Sequence, residues 1–402
     1  MISFNRFLAT TPRVAYFPEF DSTGEYKGFD LKGIQAIAYD GADYKGQHTK
    51  VFAHVGFPEN MTEPVPAVVL VHGGGGHPED IWIKRWNDRG YGAIAMDTTG
   101  YFPTEPTPHL YGDFAATLKR ELVTPFAEEG YTVGPDNSGM GDWMLPVGDQ
   151  WMYQAVASVI LAHNILRNDP RVDPNRIGIS GISWGGVITS ITIGYDTRFA
   201  FAVPIYGCGY MGCGYADLSN RFRQPGVQKW FAEKRFSKVK MPVMWLSWND
   251  DPNFSANISA MSYLDTKGNN PNTCLSLHHR MWHSHEYGYT PEESYWFADE
   301  VLKGNRIPAV KADYSEGNVS YCCTGKIKRA RLFYIDEKMT YIKRSKYSEV
   351  YADVELSFLK QDWQILDLPP TETAAELPGN AVGKYVEFTL ENGIILTTPY
   401  AQ

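Results

Sequence analysis

The stretch Arg176-Ile-Gly-Ile-Ser-Gly-Ile-Ser-Trp-Gly-Gly-Val-Ile-Thr-Ser-Ile-Thr-Ile-Gly194 decides how this chain folds. The residues ahead of Ser183 read as a short buried strand. Those after it read as a helix whose first turn holds small residues. A serine at so sharp a strand-to-helix turn is strained and exposed, and Gly181 and Gly185, two before and two after, leave room for neighbouring backbones. The helix N-terminus beside Ser183 offers N–H groups and a positive dipole end to a developing oxyanion. In a glycine-rich chain the bare G-x-S-x-G pattern also arises by chance. Its weight comes from the strand before, the helix after and the partners found elsewhere.

Working outward, apolar runs alternate with amphipathic ones. Residues 67–71 (Ala-Val-Val-Leu-Val) form a continuous apolar run, as expected of a central strand buried on both faces; residues 93–96 form a second. Helices are expected over 80–89, stopped by Gly90, and over 150–168, where Ala155, Val156, Val159, Ile160 and Leu166 keep helical spacing until Asp169-Pro170. Strands over 200–205, 243–246 and 273–277 alternate with helices over 255–265 and 291–302. This alternation predicts a mainly parallel sheet covered on both faces. Upstream, 33–40 and 50–57 read as strands and the first thirty residues as an irregular arm. Residues 98–149, rich in Gly, Pro and Asp with one helical segment near 114–122, read as a functional insertion. This insertion and the loop over 207–215 should roof the pocket, since both leave where strand C-termini gather.

After Gly304 the helical period disappears. Short strand candidates at 319–324, 329–335, 349–356, 363–366, 385–390 and 394–398 are separated by turns. They predict a small antiparallel β-sandwich of the immunoglobulin-like kind. The expected division is a catalytic domain with its N-terminal arm over 1–305 and a β-sandwich domain over 306–402. Such a domain serves as a structural cap, a carbohydrate-binding module or a contact in a homo-oligomer. The cap is favoured.

Composition narrows the function classes. The chain has 402 residues, 43% of them hydrophobic, and a formal net charge of -9 without a long basic run. That balance disfavours nucleic acid or an anionic membrane as partner. No stretch reaches the length of a membrane span and the N-terminus lacks a signal-peptide core, so a cytoplasmic location is expected. The 11 Trp and 25 Tyr suit flat or sugar-like ligands as well as core filling. The 5 cysteines form no framework. Cys208 and Cys213 are spaced too widely for a tight thiolate pair and no second pair follows, which argues against metal.

A serine is a weak nucleophile at neutral pH and needs a base, with a third group to orient that base. On an elbow fold these follow in the order Ser, acid, His. The acid candidates are Asp250 and Asp251, at the end of the strand ending near Trp248; the bland alternative is a solvated turn capping the next helix. The base candidates are His283 and His285, beyond the last strand; His278 and His279 still belong to that strand. A His-x-His pair can hold a metal, but no second ligand set accompanies it. His72-Gly73-Gly74-Gly75-Gly76 follows the first central strand, where the second oxyanion donor of such a site normally lies. No Lys-Ser/Thr follows those glycines, so a phosphate loop is disfavoured.

Taken together, Val71-His-Gly-Gly-Gly-Gly76, Tyr91-Gly-Ala-Ile-Ala-Met-Asp97, Gly181-Ile-Ser-Trp-Gly-Gly186, Val203-Pro-Ile-Tyr-Gly-Cys-Gly209 and Arg280-Met-Trp-His-Ser-His285 resemble the acetyl xylan esterase/dienelactone hydrolase branch of the α/β-hydrolases, a neighbour of the prolyl oligopeptidase-type enzymes. The similarity covers roughly residues 30 to 305 and implies an α/β-hydrolase fold. Its Gly-Thr-Asn-Asp-like acid turn stands here as Ser247-Trp-Asn-Asp-Asp251, with Trp248 for the family's glycine, and its register implies Asp251. Its His-Gly-His motif stands as His283-Ser284-His285, whose first histidine is the usual base. The resemblance implies a serine carboxylester hydrolase with catalytic Ser183, His283 and Asp251, Trp184 and Gly74 N–H groups in the oxyanion hole, and Asp250 and His285 as alternates. It implies no metal or organic cofactor, and a small-molecule ester substrate, an acetylated carbohydrate such as a xylo-oligosaccharide. Two other readings share the elbow: a peptidase of the prolyl oligopeptidase type, and a silent fold used for binding.

Overall fold

A computed structural model describes residues 2–104, 120–214, 216–315, 317–337, 362–370 and 373–402. Its main sheet contains β1 (Val14–Tyr16), β2 (Gln35–Asp40), β3 (His48–Gly56), β4 (Val65–Val71), β5 (Gly92–Met96), β6 (Val172–Ile182), β7 (Ala202–Ile205), β8 (Met244–Trp248) and β9 (Cys274–His278). Across the sheet their order is β1-β2-β3-β5-β4-β6-β7-β8-β9. The first joins, through β3 with β5, are antiparallel, and every later join is parallel. From β4 the chain moves outward to β5, then returns past β4 to β6. Neighbouring strands β4 and β6 therefore send their C-terminal loops in different directions, opening a crevice between them. This is the α/β-hydrolase fold.

Burial explains why the apolar runs became central strands. Ala67, Val68, Val69, Leu70 and Val71 are all 0% exposed, as a strand covered on both faces requires. The covering helices include α1 (Asp80–Asn87), α2 (Trp151–Asn168), α3 (Trp184–Thr192), α4 (Ala256–Thr266), α5 (His285–Tyr289) and α6 (Glu292–Leu302). Helix α2 is buried along nearly its whole length, with Val156, Val159 and Ile160 in the core. Among the described residues no helix is long and apolar enough to cross a membrane. No disulfide joins any of the five cysteines.

The first thirty residues are more ordered than an irregular arm. Residues Asn5–Leu8 form a helical turn, β1 pairs with β2, and Glu25–Tyr26 pairs with Phe29–Asp30. Edge pairing supplied by distant residues leaves little periodic signal in so short a segment. Most of the helix expected near 114–122 lies outside the described residues; Arg120–Glu121 pairs as a strand with Phe102–Pro103. The strand expected over 349–356 also lies outside them.

Beyond Gly304 two antiparallel sheets lie face to face. One contains β10 (Val310–Ser315), β11 (Asn318–Cys323) and β14 (Ala374–Glu376). The other contains β13 (Gln364–Leu368), β12 (Ile327–Ile335), β15 (Gly383–Leu390) and β16 (Ile395–Thr397) in that order. Val319, Tyr321, Leu332, Val386 and Phe388 fill the space between them. Strands β10 and β14 had no apolar run to announce them: β10 merely alternates exposed residues with half-buried Val310, Ala312 and Tyr314. The second sheet seats on the free edge of the main one. Ser276 Oγ donates to Ile395 O (2.7 Å), Thr397 Oγ1 accepts from Leu277 N (3.2 Å), and Glu293 Oε1 accepts from Ile395 N (3.0 Å).

Candidate active site

Ser183 links β6 to α3 with φ 57° and ψ -118°, a left-handed conformation that a side-chain-bearing residue adopts only when its surroundings enforce it. They do so here through backbone approach. A Cβ on Gly181 would lie 2.2 Å from Gly185 O, and one on Gly185 would lie 2.0 Å from Val71 O. The two glycines thus let β6, α3 and the end of β4 converge. Ser183 N donates to Ile205 O (3.0 Å) and its carbonyl accepts from Val187 N (3.0 Å), fixing the turn at both ends.

His283 lies in the loop between β9 and α5. Its Nε2 is 2.9 Å from Ser183 Oγ and its Nδ1 is 2.7 Å from Asp251 Oδ2. Asp251 is 1% exposed. Its other oxygen, Oδ1, accepts from Asn253 N (2.8 Å) and Phe254 N (2.9 Å). Those two N–H donors hold the carboxylate in one orientation, with Oδ2 toward the imidazole. A carboxylate at Nδ1 selects the tautomer with its proton there, leaving the Nε2 lone pair toward the serine hydroxyl. Phe254 lies parallel to the imidazole at 5.9 Å, and the Tyr206 ring is 4.6 Å away. Tyr206, itself at φ 28°, donates its hydroxyl to Ser284 O. Aromatic faces therefore restrict the histidine where hydrogen bonds do not.

Of the two candidate acids, Asp251 and not Asp250 meets the imidazole. His285, two residues after His283, does something else: its Nε2 accepts from Gly73 N (2.9 Å). It is 7% exposed and packed so closely on the glycine loop that a Cβ on Gly76 would come within 2.5 Å of it. His72 braces the same loop from beneath, with Nδ1 2.8 Å from Gly73 O and Nε2 accepting from Thr98 N (3.0 Å). Gly74 is the next residue out, and a Cβ there would lie 2.7 Å from Trp184 Cδ1 and 3.6 Å from Asn137 Nδ2. Gly74 and Trp184 are thus adjacent, and the 98–149 insertion reaches the loop through Asn137. Trp184 in turn meets Trp151 edge-on at 5.1 Å and stacks on Phe222 at 5.8 Å. The end of the 207–215 loop, Tyr215, lies outside the described residues. No group of three or more His, Cys, Asp or Glu side chains among the described residues is arranged to hold a metal ion.

Comparison with known proteins adds a family to this geometry. Residues 13–212 match the acetyl xylan esterase (AXE1) family. Over that stretch the chain is similar to the acetyl xylan esterases, a branch of the α/β-hydrolases. A probable dipeptidyl-peptidase 5 of Aspergillus flavus is 35% identical over 82 residues, 18% of this chain and 11% of that protein. An acetyl xylan esterase structure from Paenibacillus sp. R4 matches over 74% of this chain and 91% of its own, at 17% identity and TM-score 0.47. The acylaminoacyl peptidase of Pyrococcus horikoshii matches over 68% of this chain and 42% of its own, at 17% identity and TM-score 0.45.

Several site residues of this α/β-hydrolase had no signal of their own. The sequence offers His285 only as an alternate base, because nothing local shows that it faces the glycine loop 212 residues earlier. Tyr206 and Phe254 sit in quoted motifs or beside the acid, but their contact with one imidazole depends on three strand ends meeting. Asn249, in the acid turn, bonds to Tyr385 in the C-terminal sheets, 136 residues away.

Proposed function

We propose that this chain is a serine carboxylester hydrolase in which Ser183 is the nucleophile, His283 the general base and acid, and Asp251 the group that orients His283. The reading is carried by one observation: the unbroken hydrogen-bond line from Asp251 through His283 to Ser183, at 2.7 and 2.9 Å. Ser183 Oγ attacks the ester carbonyl while its proton passes to His283 Nε2, and Asp251 stabilises the resulting imidazolium. The tetrahedral oxyanion is held by the N–H groups of Trp184 and Gly74. Gly73 N–H is already engaged by His285, which favours Gly74 as the second donor. Collapse expels the alcohol, which takes the proton from His283. Water, deprotonated by His283, then attacks the acyl-serine and releases the acid and free Ser183.

The AXE1 match favours an acetyl ester on a carbohydrate as substrate. A panel of esters of one chromophore with increasing acyl length tests this. Activity concentrated at acetyl supports the reading, and a flat profile out to long chains opposes it. Ser183→Ala should abolish both turnover and fluorophosphonate labelling; a folded wild-type protein that resists the probe would return the silent binding fold. Similarity to a dipeptidyl-peptidase favours the second reading, a peptidase sharing the same three residues. 4-Nitrophenyl acetate assayed beside a Pro-4-nitroanilide separates the two.

A further inference from the structure

The acid turn and the base loop both end against the C-terminal sheets. Asn249, two residues before Asp251, is 0% exposed. Its backbone N donates to His278 O (3.0 Å), which ties the turn to the end of β9. Its side-chain Nδ2 donates to the Tyr385 hydroxyl (3.0 Å) and lies 3.5 Å from His279 Nδ1. Tyr385, on β15, is also 0% exposed. Its ring lies parallel to Phe333 at 5.1 Å and meets Trp363 edge-on at 5.3 Å. Phe333 in turn contacts the His279 ring at 5.3 Å. One aromatic stack therefore touches the start of the acid turn through Asn249 and the start of the base loop through His279.

We propose that Tyr385 is a positioning residue for the triad, fixing the Asn249–Asp251 turn against the loop that carries His283. A sandwich that only capped the sheet would need its contacts on β9 alone. Here a buried phenol reaches past that strand to the side chain two residues from the orienting carboxylate. Asp251 and His283 come from separate loops, so their alignment depends on how those loops are held together. A misplacement of about 1 Å in such a site can lower turnover by roughly 10²-fold.

This assignment rests on the triad reading, which Ser183→Ala and the fluorophosphonate probe test separately. The decisive variants, made in the full chain, are Tyr385→Phe, Asn249→Ala and the double variant. Tyr385→Phe keeps the ring stack and removes one hydroxyl. Tyr321→Phe is the control: its hydroxyl donates to Pro369 O (2.8 Å) inside the C-terminal sheets, away from the site. With 4-nitrophenyl acetate over about pH 5 to 9, Tyr385→Phe should lower kcat about tenfold with KM unchanged. The acid limb of its pH profile should move, because the hydrogen bond between Asp251 and His283 no longer keeps its geometry. The double variant should lose no more than Asn249→Ala alone, since both act along one path. Tyr321→Phe should leave kcat and the limb in place. Wild-type kcat and acid limb in folded Tyr385→Phe would overturn the assignment, as would losses that multiply in the double variant. If Tyr385→Phe does not fold, a folded Asn249→Ala enzyme with unchanged kcat and limb overturns it equally. A wild-type enzyme that is inactive and unlabelled would instead sink the triad reading.

Discussion

Replacing Asp251 with asparagine changes only one oxygen into an NH₂ group, yet the surroundings leave that group no good position. Oδ1 accepts two backbone N–H bonds, from Asn253 and Phe254, and Oδ2 faces His283 Nδ1. If the amide oxygen keeps the two N–H donors, the NH₂ faces Nδ1. The imidazole must then carry its proton on Nε2, pointing at Ser183 Oγ, and it is no longer a base. If the amide turns over, its NH₂ faces two buried N–H groups that lose their acceptor. Each such loss costs about 1–3 kcal/mol, so roughly 2–6 kcal/mol for both. The first arrangement wins and the wrong tautomer dominates. Asp251→Asn should therefore lower kcat by about 10⁴, or about 5.5 kcal/mol of barrier, the size seen when a triad aspartate is made neutral. Steady-state turnover of 4-nitrophenyl acetate, with thermal unfolding as the folding control, measures it. A folded Asp251→Asn enzyme near wild-type turnover, beside an inactive Asp250→Asn, would refute the reasoning.

His285→Ala frees Gly73 N–H and loosens the glycine loop without touching the base; kcat should fall about tenfold, less than the ~10²–10³ lost when an oxyanion donor itself is removed. A loss as large as that of His283→Ala would show that His285 carries the proton. Gly185→Ala should give little folded protein on a solubility and circular-dichroism screen, because its Cβ would sit 2.0 Å from Val71 O with only backbone to yield. The pair of His278 and Glu293 under the C-terminal sheets, 3.5 Å apart, makes stability depend on pH. Burial opposes charge on His278, but Glu293 overrides it and raises the imidazole. Burial likewise opposes charge on Glu293, and His278 together with the Ile395 N–H holds it below the usual range. The stabilisation from His278 is complete below its ordinary value of 6.5 and is lost as pH rises through the raised one. That from Glu293 is complete above its ordinary 4.5 and is lost as pH falls through the lowered one. Tm should therefore decline above about pH 6.5, and Glu293→Gln should remove that decline; an unchanged slope in the variant would count against the pair.

The sequence by itself determined the layers and the elbow. Buried parallel strands must be apolar on both faces, so residues 67–71 and 93–96 announce themselves. The strand-serine-helix turn is equally legible, because backbones that approach to about 2 Å of a missing Cβ tolerate only glycine at 181 and 185. The chain order Ser, acid, His is carried by loops at successive strand ends, which narrowed the partners to two acids and two histidines. Only the tertiary structure decided between neighbours. Asp250 and Asp251 are chemically identical, and which one points at His283 depends on backbone direction in a turn whose shape is set by β8, β9 and Tyr385. His283 and His285 differ in the same way, since one meets Ser183 100 residues earlier and the other meets Gly73 212 residues earlier. Strand β14, the N-terminal edge strand β1 and the Tyr385–Asn249 bridge were illegible for a common reason. Their stabilisation comes from partners distant in sequence, and short segments paired that way need no periodic pattern of their own.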